Sequence, residues 1–301
     1  MEDQASEPLV YAVILNWNSY KETLELVEQL KSITYTNLRI LVVDNHSTKD
    51  GSAEHLNNTA PDSFELICNH DNLGYAGGNN VGINASIDRG ANFVWILNPD
   101  IRINENMLNF MVSTITSSDN IAAVGSRICF RNDPQLIYTD GGIVYPERGY
   151  QVMHLHNQQR LPLREEQEIY EVDYANGSSM LLNVKTVKAL GTLREEFFLY
   201  FEEAEWCLRA KKHNWRILVN TRAVAYHSPS QKGVNYHYYM SRNRIWLAKL
   251  MGKHKRAALK LELQRTTTYF RRMILGTILH RSKILFAKFR GITHGLFRTI
   301  K

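Results

Sequence analysis

The residues able to do chemistry lie in four short stretches. Asp44, within Val-Val-Asp-Asn-His-Ser-Thr-Lys-Asp-Gly-Ser, closes an apolar run. A carboxylate in that place can accept hydrogen bonds from a nucleobase or ribose, or serve as a turn or cap residue. Asn72-Leu73-Gly74-Tyr75-Ala76-Gly77-Gly78-Asn79-Asn80 is a glycine-rich turn ahead of a helical segment, where free backbone N–H groups and the helix dipole would suit an anion. It has no P-loop lysine and does not follow a first strand as GxGxxG. Asn98-Pro99-Asp100 follows the apolar Phe93 to Leu97; a diphosphate needs a hard divalent cation on oxygen ligands, which Asp100 can help supply, and His227, after a later strand, could complete the shell. Glu202, Glu203 and Glu205 place three acids within four residues behind the bulky run Phe197 to Phe201. Like charges so close raise at least one pKa, and a carboxylate in a partly apolar rim is a competent general base.

Such groups need a scaffold that carries them to one edge. Val10 to Leu15 reads as a strand ending at Asn16-Trp17-Asn18, and Tyr20 to Ile33 as a helix with Leu24, Val27, Leu30 and Ile33 on one side. The unit recurs at Leu38 to Val43, Phe64 to Cys68 and Phe93 to Leu97, with a helix over Gly77 to Asp88. This alternation predicts a doubly wound, mostly parallel α/β sheet through about residue 130, with ligands beyond the carboxyl ends of its strands. Gly141 to Tyr170 reads as hairpins or loop. Tyr174 to Asn183 reads as a strand in which Gly177-Ser178-Ser179 permits close approach of a ligand or backbone. Glu202 to His213 is helical in composition, Arg216 to Val219 and Ala223 to Tyr226 are two short strands, and helices follow Tyr236.

At 301 residues, with 44% hydrophobic and 22% charged side chains, the chain can bury a sizeable core, which excludes a disulfide scaffold and wholesale disorder. Its three cysteines, Cys68, Cys129 and Cys207, form no CxxC pair, which argues for a reducing compartment and against a thiolate zinc site. Met1 to Pro8 is polar and acidic, unlike a secretory signal, and no apolar run approaches the ~20 residues that span a bilayer. The net charge of +6 is unevenly placed: Arg242 to Lys301 carries 16 Lys/Arg against Glu262 alone, or +15, and residues 1 to 241 carry 20 against 29, or −9. A polyanionic surface is the expected partner of the basic end.

Taken together, VDNHSTKDGS, NLGYAGGNNVGI, WILNPD, ANGSSMLL, FFLYFEEAEWCLR and YHSPS…YYMSRNR resemble, in order and spacing, the family 2 inverting glycosyltransferases with the GT-A fold, and look closest to their bacterial rhamnosyltransferase branch. The resemblance runs from about Val10 to Arg244. It implies a GT-A catalytic domain over 1–235, with a nucleotide-sugar half at about 9–130 and an acceptor and base half at about 131–235, and a basic helical region over 236–301. It places Asn16, Trp17, Asn18, Asp44, Gly74, Gly77, Gly78, Asn79, Asn98 and Asp100 at the nucleotide-sugar. Gly177, Ser178, Glu205 and Trp206 fall on the acceptor side, Asp100 and His227 on Mg²⁺ or Mn²⁺, and Glu203, with Glu202 beside it, at the proton transfer. Where the family has an acid before the last Asp of its DXD element this chain has Asn98, and where the family reads FEDxDL it reads FEEAEW.

The implied function is transfer of L-rhamnose from dTDP-β-L-rhamnose to a lipid-linked oligosaccharide or other growing surface glycan, on the cytoplasmic face of the cell membrane, with a UDP-hexose or UDP-N-acetylhexosamine as the alternative donor. A nucleotidyltransferase would need a basic residue in an N-terminal glycine-rich loop, and Val10 to Ser19 has none. A non-catalytic nucleic-acid binder lacks a binding signature, and the apolar residues interleaved with the tail's charges favour anionic lipid. Read as one helix, Phe270, Ile274, Ile278, Leu285, Phe289, Ile292 and Leu296 make one apolar stripe, with Arg272, Lys283 and Arg290 opposite and Arg271, Arg281 and Lys288 flanking it. That stripe suits a membrane interface; packing on the acidic body is the other use of the same residues.

Overall fold

The computed structural model describes residues 7–60, 63–164, 167–228, 232–274 and 281–300. The chain begins with β1 (Val10–Asn16), α1 (Tyr20–Lys31), β2 (Leu38–Asp44), α2 (Ser52–Thr59), β3 (Glu65–Cys68), α3 (Gly74–Asp88) and β4 (Phe93–Leu97). After β5 (Arg102–Ile103) and α4 (Met107–Thr116) come β6 (Ile121–Phe130), β7 (Asp133–Thr139), β8 (Gly142–Tyr145), β9 (Gln151–His154) and β10 (Ile169–Glu171). The remainder is β11 (Ser179–Asn183), α5 (Val184–Leu190), α6 (Glu202–Lys212), β12 (Arg216–His227), α7 (Val234–Met251), α8 (Lys255–Ile274) and α9 (Arg281–Phe297).

The main sheet runs β10-β12-β6-β11-β4-β1-β2-β3, with β5 added on β12 and β7 on β6. β3, β2, β1 and β4 are mutually parallel, as are β6 and β12, while β11 lies antiparallel between β4 and β6. The α/β, doubly wound expectation is met. β1 is buried along its whole length because helices cover both faces of the sheet. Tyr11, Val13 and Leu15 enter one core with residues of α3, α6 and α7, and Val10, Ala12 and Ile14 the other, with α1 and α4.

Several elements differ from the pattern reading. The glycine-rich helix starts at Gly74, one turn early, because Asn72 Oδ1 accepts the Gly74 N–H at 2.8 Å. Residues 216–227 form one strand with an irregularity between Asn220 and Val224, not two strands. β6, unannounced by periodicity, is buried on both faces.

The helical region after 235 is not a detached extension. Ile245, Trp246, Leu247 and Ala248 of α7 are buried, the last three in the core that holds α6. Ile292 is buried where α9 packs on α7, so the expected single stripe is divided: part of it faces the protein, while its Phe270, Ile274, Phe289 and Leu296 are exposed, as are Phe286 and Phe297 outside it. Ile278 and the Arg281 side chain lie outside the described residues. Among the described residues no helix is long and apolar enough to cross a membrane.

The α7–α9 contact depends on Gly291, where a Cβ would stand 2.5 Å from the Tyr238 carbonyl oxygen and 3.0 Å from Ser241 Cβ. Backbone cannot yield there, so Gly291→Ala is expected to destabilise the protein by about 1–3 kcal/mol, read as a lower midpoint in thermal unfolding. An unchanged midpoint would show that α9 is not firmly seated.

Candidate functional site

The carboxyl ends of β1 and β2 are in register, Asn16 opposite Asp44. Asp44 is buried and fully engaged: Oδ1 accepts from Asn16 Nδ2 at 2.6 Å and Ser47 Oγ at 2.6 Å, and Oδ2 from the Ser47 N–H at 3.0 Å. The Asn16 amide also donates to Ser47 Oγ at 3.1 Å, and its Oδ1 accepts from Thr23 at 2.8 Å. Asn16 therefore holds the carboxylate in place and has no free group for a ligand. Trp17, one residue on, is 52% exposed and offers a flat indole at the same edge. Asn18, at φ 52°, folds the loop by accepting the Thr48 and Lys49 N–H groups at 3.0 and 2.9 Å.

The glycine-rich turn does not present free amides. The Tyr75 and Ala76 N–H groups donate to the Phe198 carbonyl at 2.6 and 3.3 Å, and that of Gly74 to Asn72. The expected anion cradle is occupied by the protein itself. Gly74 is required at φ +73°, where a Cβ would lie 2.4 Å from the Phe198 carbonyl oxygen. Gly77 lies against Leu73 and Gly78 against Leu15, letting α3 close on β1. Asn79 is buried; its Nδ2 donates to the Tyr75 carbonyl at 2.9 Å and its Oδ1 has no partner. Asn45, which the sequence reading passed over, ties this turn to β2: its amide donates to Asn72 Oδ1 and the Gly74 carbonyl, and accepts from Asn69 and the Leu73 N–H.

After β4, the Asn98 N–H donates to the Ser178 carbonyl at 3.0 Å, and the Tyr75 hydroxyl reaches the Gly177 carbonyl at 2.6 Å. Gly177-Ser178 thus ties the Asn-Pro-Asp turn to α3. Asp100 Oδ1 stands 3.2 Å from His227 Nε2, and His227 Nδ1 has no partner. A carboxylate oxygen beside an imidazole nitrogen fits a divalent cation whose remaining ligands come from diphosphate and water. Among the described residues no cluster of three such ligands exists.

Glu202 and Glu203 open α6. Glu202 is buried and Glu203 half-buried, and each leaves Oε2 unpartnered. Burial drives the Glu202 pKa well above the ordinary carboxylate range, with repulsion from Glu203 adding to it; burial likewise raises Glu203. The Glu203 charge acts on Tyr138, whose ring centroid is 6.5 Å from that of His227, so Tyr138 is the residue that relates the base candidate to the Asp100–His227 pair. Tyr138 escaped the sequence reading because it lies in β7, between the sheet read through about residue 130 and the loop read from Gly141. Glu205 and Trp206, expected on the acceptor side, are buried away from it. Glu205 pairs with Arg194 at 3.1 Å and Arg209 at 3.0 Å, and the Trp206 indole N–H donates to the Gly191 carbonyl. Both residues anchor α6.

The model of glycosyl transferase family 2 matches residues 11–169. The chain is 31% identical over 210 residues to low-salt glycan biosynthesis hexosyltransferase Agl10 of Haloferax volcanii, over 68% of this chain and 62% of that protein. It is 26% identical over 215 residues to dTDP-rhamnosyl transferase RfbF of Shigella flexneri, over 70% and 65%. The match therefore spans under two thirds of either relative's length. Mannosyltransferase PcManGT from Pyrobaculum calidifontis, solved in complex with GDP-Man and Mn²⁺, has the same fold, with a TM-score of 0.60 at 12% identity over 98% of this chain and 89% of that one.

The raised Glu202 pKa makes a stability prediction with a definite sign. The unfolded chain releases that proton near the ordinary glutamate value of 4.5 while the folded protein keeps it, so stability is lost as pH rises through and above that value. Glu202→Gln keeps the volume without the charge. It is expected to stabilise the protein by about 1–2 kcal/mol at pH 8, seen as a higher thermal midpoint, with the gain vanishing near pH 4. A loss at pH 8 would mean that the ionised form is the one accommodated.

Proposed function

The chain belongs to glycosyl transferase family 2, and from that we propose that it is an inverting glycosyltransferase moving L-rhamnose from dTDP-β-L-rhamnose to a hydroxyl of a growing surface glycan. The observation that supports this reading is the Asp100–His227 pair with Tyr138 beside it, and a half-buried Glu203 of raised pKa whose charge acts on that tyrosine. The relative named as a dTDP-rhamnosyl transferase supports the donor. The relative named as a hexosyltransferase supports a second reading, the same chemistry with a UDP-hexose or UDP-N-acetylhexosamine.

In this reading Trp17 stacks on the base and the Asp44 loop borders it. Glu203 takes the proton from the acceptor hydroxyl as that oxygen attacks the anomeric carbon from the face opposite the diphosphate. Glu202, more deeply buried, keeps its proton and leaves Glu203 as the group able to ionise. Asp100 and His227 are the residues that would hold Mg²⁺ or Mn²⁺, which supplies positive charge against the departing diphosphate.

The exposed face of α9 is proposed to meet an anionic membrane surface carrying a lipid-linked acceptor. At 100° per residue, Phe286 and Phe297 share one side with Lys283 and Arg290 and are 68% and 83% exposed, with Phe289, 50% exposed, at the edge of that face. Aromatic side chains among basic ones are the composition that binds an anionic interface.

Two experiments test the reading. Release of nucleoside diphosphate across dTDP-, UDP- and GDP-sugars is expected to be fastest with dTDP-rhamnose, lost in EDTA, restored by Mn²⁺ or Mg²⁺, and about 10²–10⁴-fold slower in Glu203→Gln with donor affinity unchanged. Turnover of UDP-hexoses alone would select the second donor, and turnover of none would end the reading. Sedimentation with phosphatidylglycerol vesicles is expected at low salt, weakened several-fold by 0.5 M salt or by Phe286→Ser with Phe289→Ser at unchanged thermal midpoint. Equal binding to neutral vesicles, or none, would remove the membrane partner.

A further inference from the structure

Tyr238-Tyr239-Met240-Ser241-Arg242-Asn243-Arg244, on α7, is a motif of the sequence to which the proposed mechanism gives no role. Its side chains lead to the turn in front of the glutamate pair. Phe198 stands at φ 63°, ψ −54°, and the Leu199 N–H donates to the Phe197 carbonyl at 2.7 Å, which is the rare left-handed γ-turn. Tyr200 at φ 69° and Phe201 at φ 75° are also left-handed, and Phe201 is the residue from which α6 starts. Three aromatic residues in four hold a conformation that glycine favours, immediately before Glu202 and Glu203.

Every carbonyl from Glu196 to Tyr200 has a donor. Arg242 Nη2 donates to the carbonyls of Glu196 at 2.9 Å and Phe197 at 2.6 Å. Asn243 Nδ2 reaches those of Phe197, Leu199 and Tyr200 at 2.9, 2.8 and 2.7 Å. The Phe198 carbonyl points the other way, to the α3 amides. Asn243 is itself fixed, its Oδ1 accepting from Arg242 Nε at 2.8 Å, and the Arg242 guanidinium lies 4.1 Å over the Trp246 ring. One buried amide thus serves three carbonyls that extended or helical backbone would not bring together.

We propose that Asn243, oriented by Arg242, is a positioning residue: it holds residues 197–201 in the left-handed turn that delivers Glu202 and Glu203 to the cleft. The inference rests on the reading of that pair as the site of proton transfer, and goes beyond it by giving the C-terminal helix a part in catalysis. Asn243 touches no substrate; it acts through the backbone in front of α6. The groups coupled electrostatically to Glu203 are Glu202, Tyr75, Tyr138, Tyr174 and Cys207, whereas the Asn243 amide bonds to Arg242 and to the turn.

The test uses the full chain labelled with ¹³C at the glutamate carboxyls. NMR follows the titration of Glu202 and Glu203, mass spectrometry follows amide exchange over 197–203, and turnover is followed with dTDP-rhamnose. Asn243→Ala is expected to move both titrations toward the ordinary glutamate range and to speed exchange in the segment by about tenfold or more. It is also expected to lower kcat by about 10–100-fold with donor KM within about twofold. Leu247→Ala, which empties core volume in the same helix and serves no carbonyl of the turn, is the stability control and is expected to leave the titrations and the exchange of the turn unchanged. Where Asn243→Ala does not fold, Asn243→Ser keeps one donor and carries the same readouts. Identical titration and exchange in the Asn243 and Leu247 variants would overturn the proposal, as would a loosened turn with kcat unchanged. A wild-type protein that turns over no donor would refute the proposed function, and the titration and exchange would still decide what Asn243 does.

Discussion

The structure depends on how the backbone of residues 196–201 is satisfied. Buried carbonyls must find donors, and left-handed aromatic residues each cost roughly 1–3 kcal/mol, so this segment persists only because its surroundings over-determine it. Two opposed sources do so: the first amides of α3, gripping the Phe198 carbonyl, and the Arg242–Asn243 pair of α7, gripping the carbonyls on either side of it. The arrangement joins three segments distant along the chain, namely the glycine-rich turn, the glutamate helix and the C-terminal helices. It also explains Gly74, whose missing Cβ is what lets the Phe198 carbonyl approach.

The same turn sets the electrostatics of the glutamate pair. Two adjacent acids begin a helix, a place where the dipole favours negative charge, yet burial raises both and outweighs that effect. Below them, Glu205 accepts hydrogen bonds from the Arg194 and Arg209 guanidiniums. The helix thus separates its acids by role: Glu205 is neutralised by arginine and structural, while burial raises Glu202 and Glu203.

The basic end of the chain is used in two ways. Arg242 and Arg244 are buried; the Arg244 pKa falls to about 10 through burial, opposed by Glu262, its partner at 2.7 Å. Glu262, the single acid after residue 241, also accepts from Ser241 at 2.6 Å and so ties α8 to α7. Buried pairs of this kind add little net stability but are costly to break, which suits a joint whose geometry matters. Lys283 and Arg290 are left on the exposed face with the phenylalanines of α9, where charge remains available to a partner.

The parallel core was legible in the sequence because its cause is local: a strand buried on both faces must be apolar throughout, and each such run ended in a polar residue that marks the ligand edge. Asp44, Asp100 and the Glu202-Glu203 pair were legible for the same reason, as acids immediately following apolar runs. Their partners were not. That Asn16 is spent on Asp44, that Phe198 occupies the apparent anion cradle and that His227 meets Asp100 are facts about residues from 28 to 127 positions apart, and residue type carries no record of such distances; Glu205 and Trp206 turn inward to partners 4 to 15 positions away, which residue type does not record either. The helical period of 270–296 gave one stripe because a wheel assumes one continuous helix, whereas packing against α7 took Ile292 and left Phe270, Ile274, Phe289 and Leu296 outside. Sequence determined which groups the chain could bring to its sheet edge, since solvation of each segment follows from composition. Tertiary structure decided which remain free to react, since that depends on which hydrogen-bonding and charged partners arrive from elsewhere in the chain.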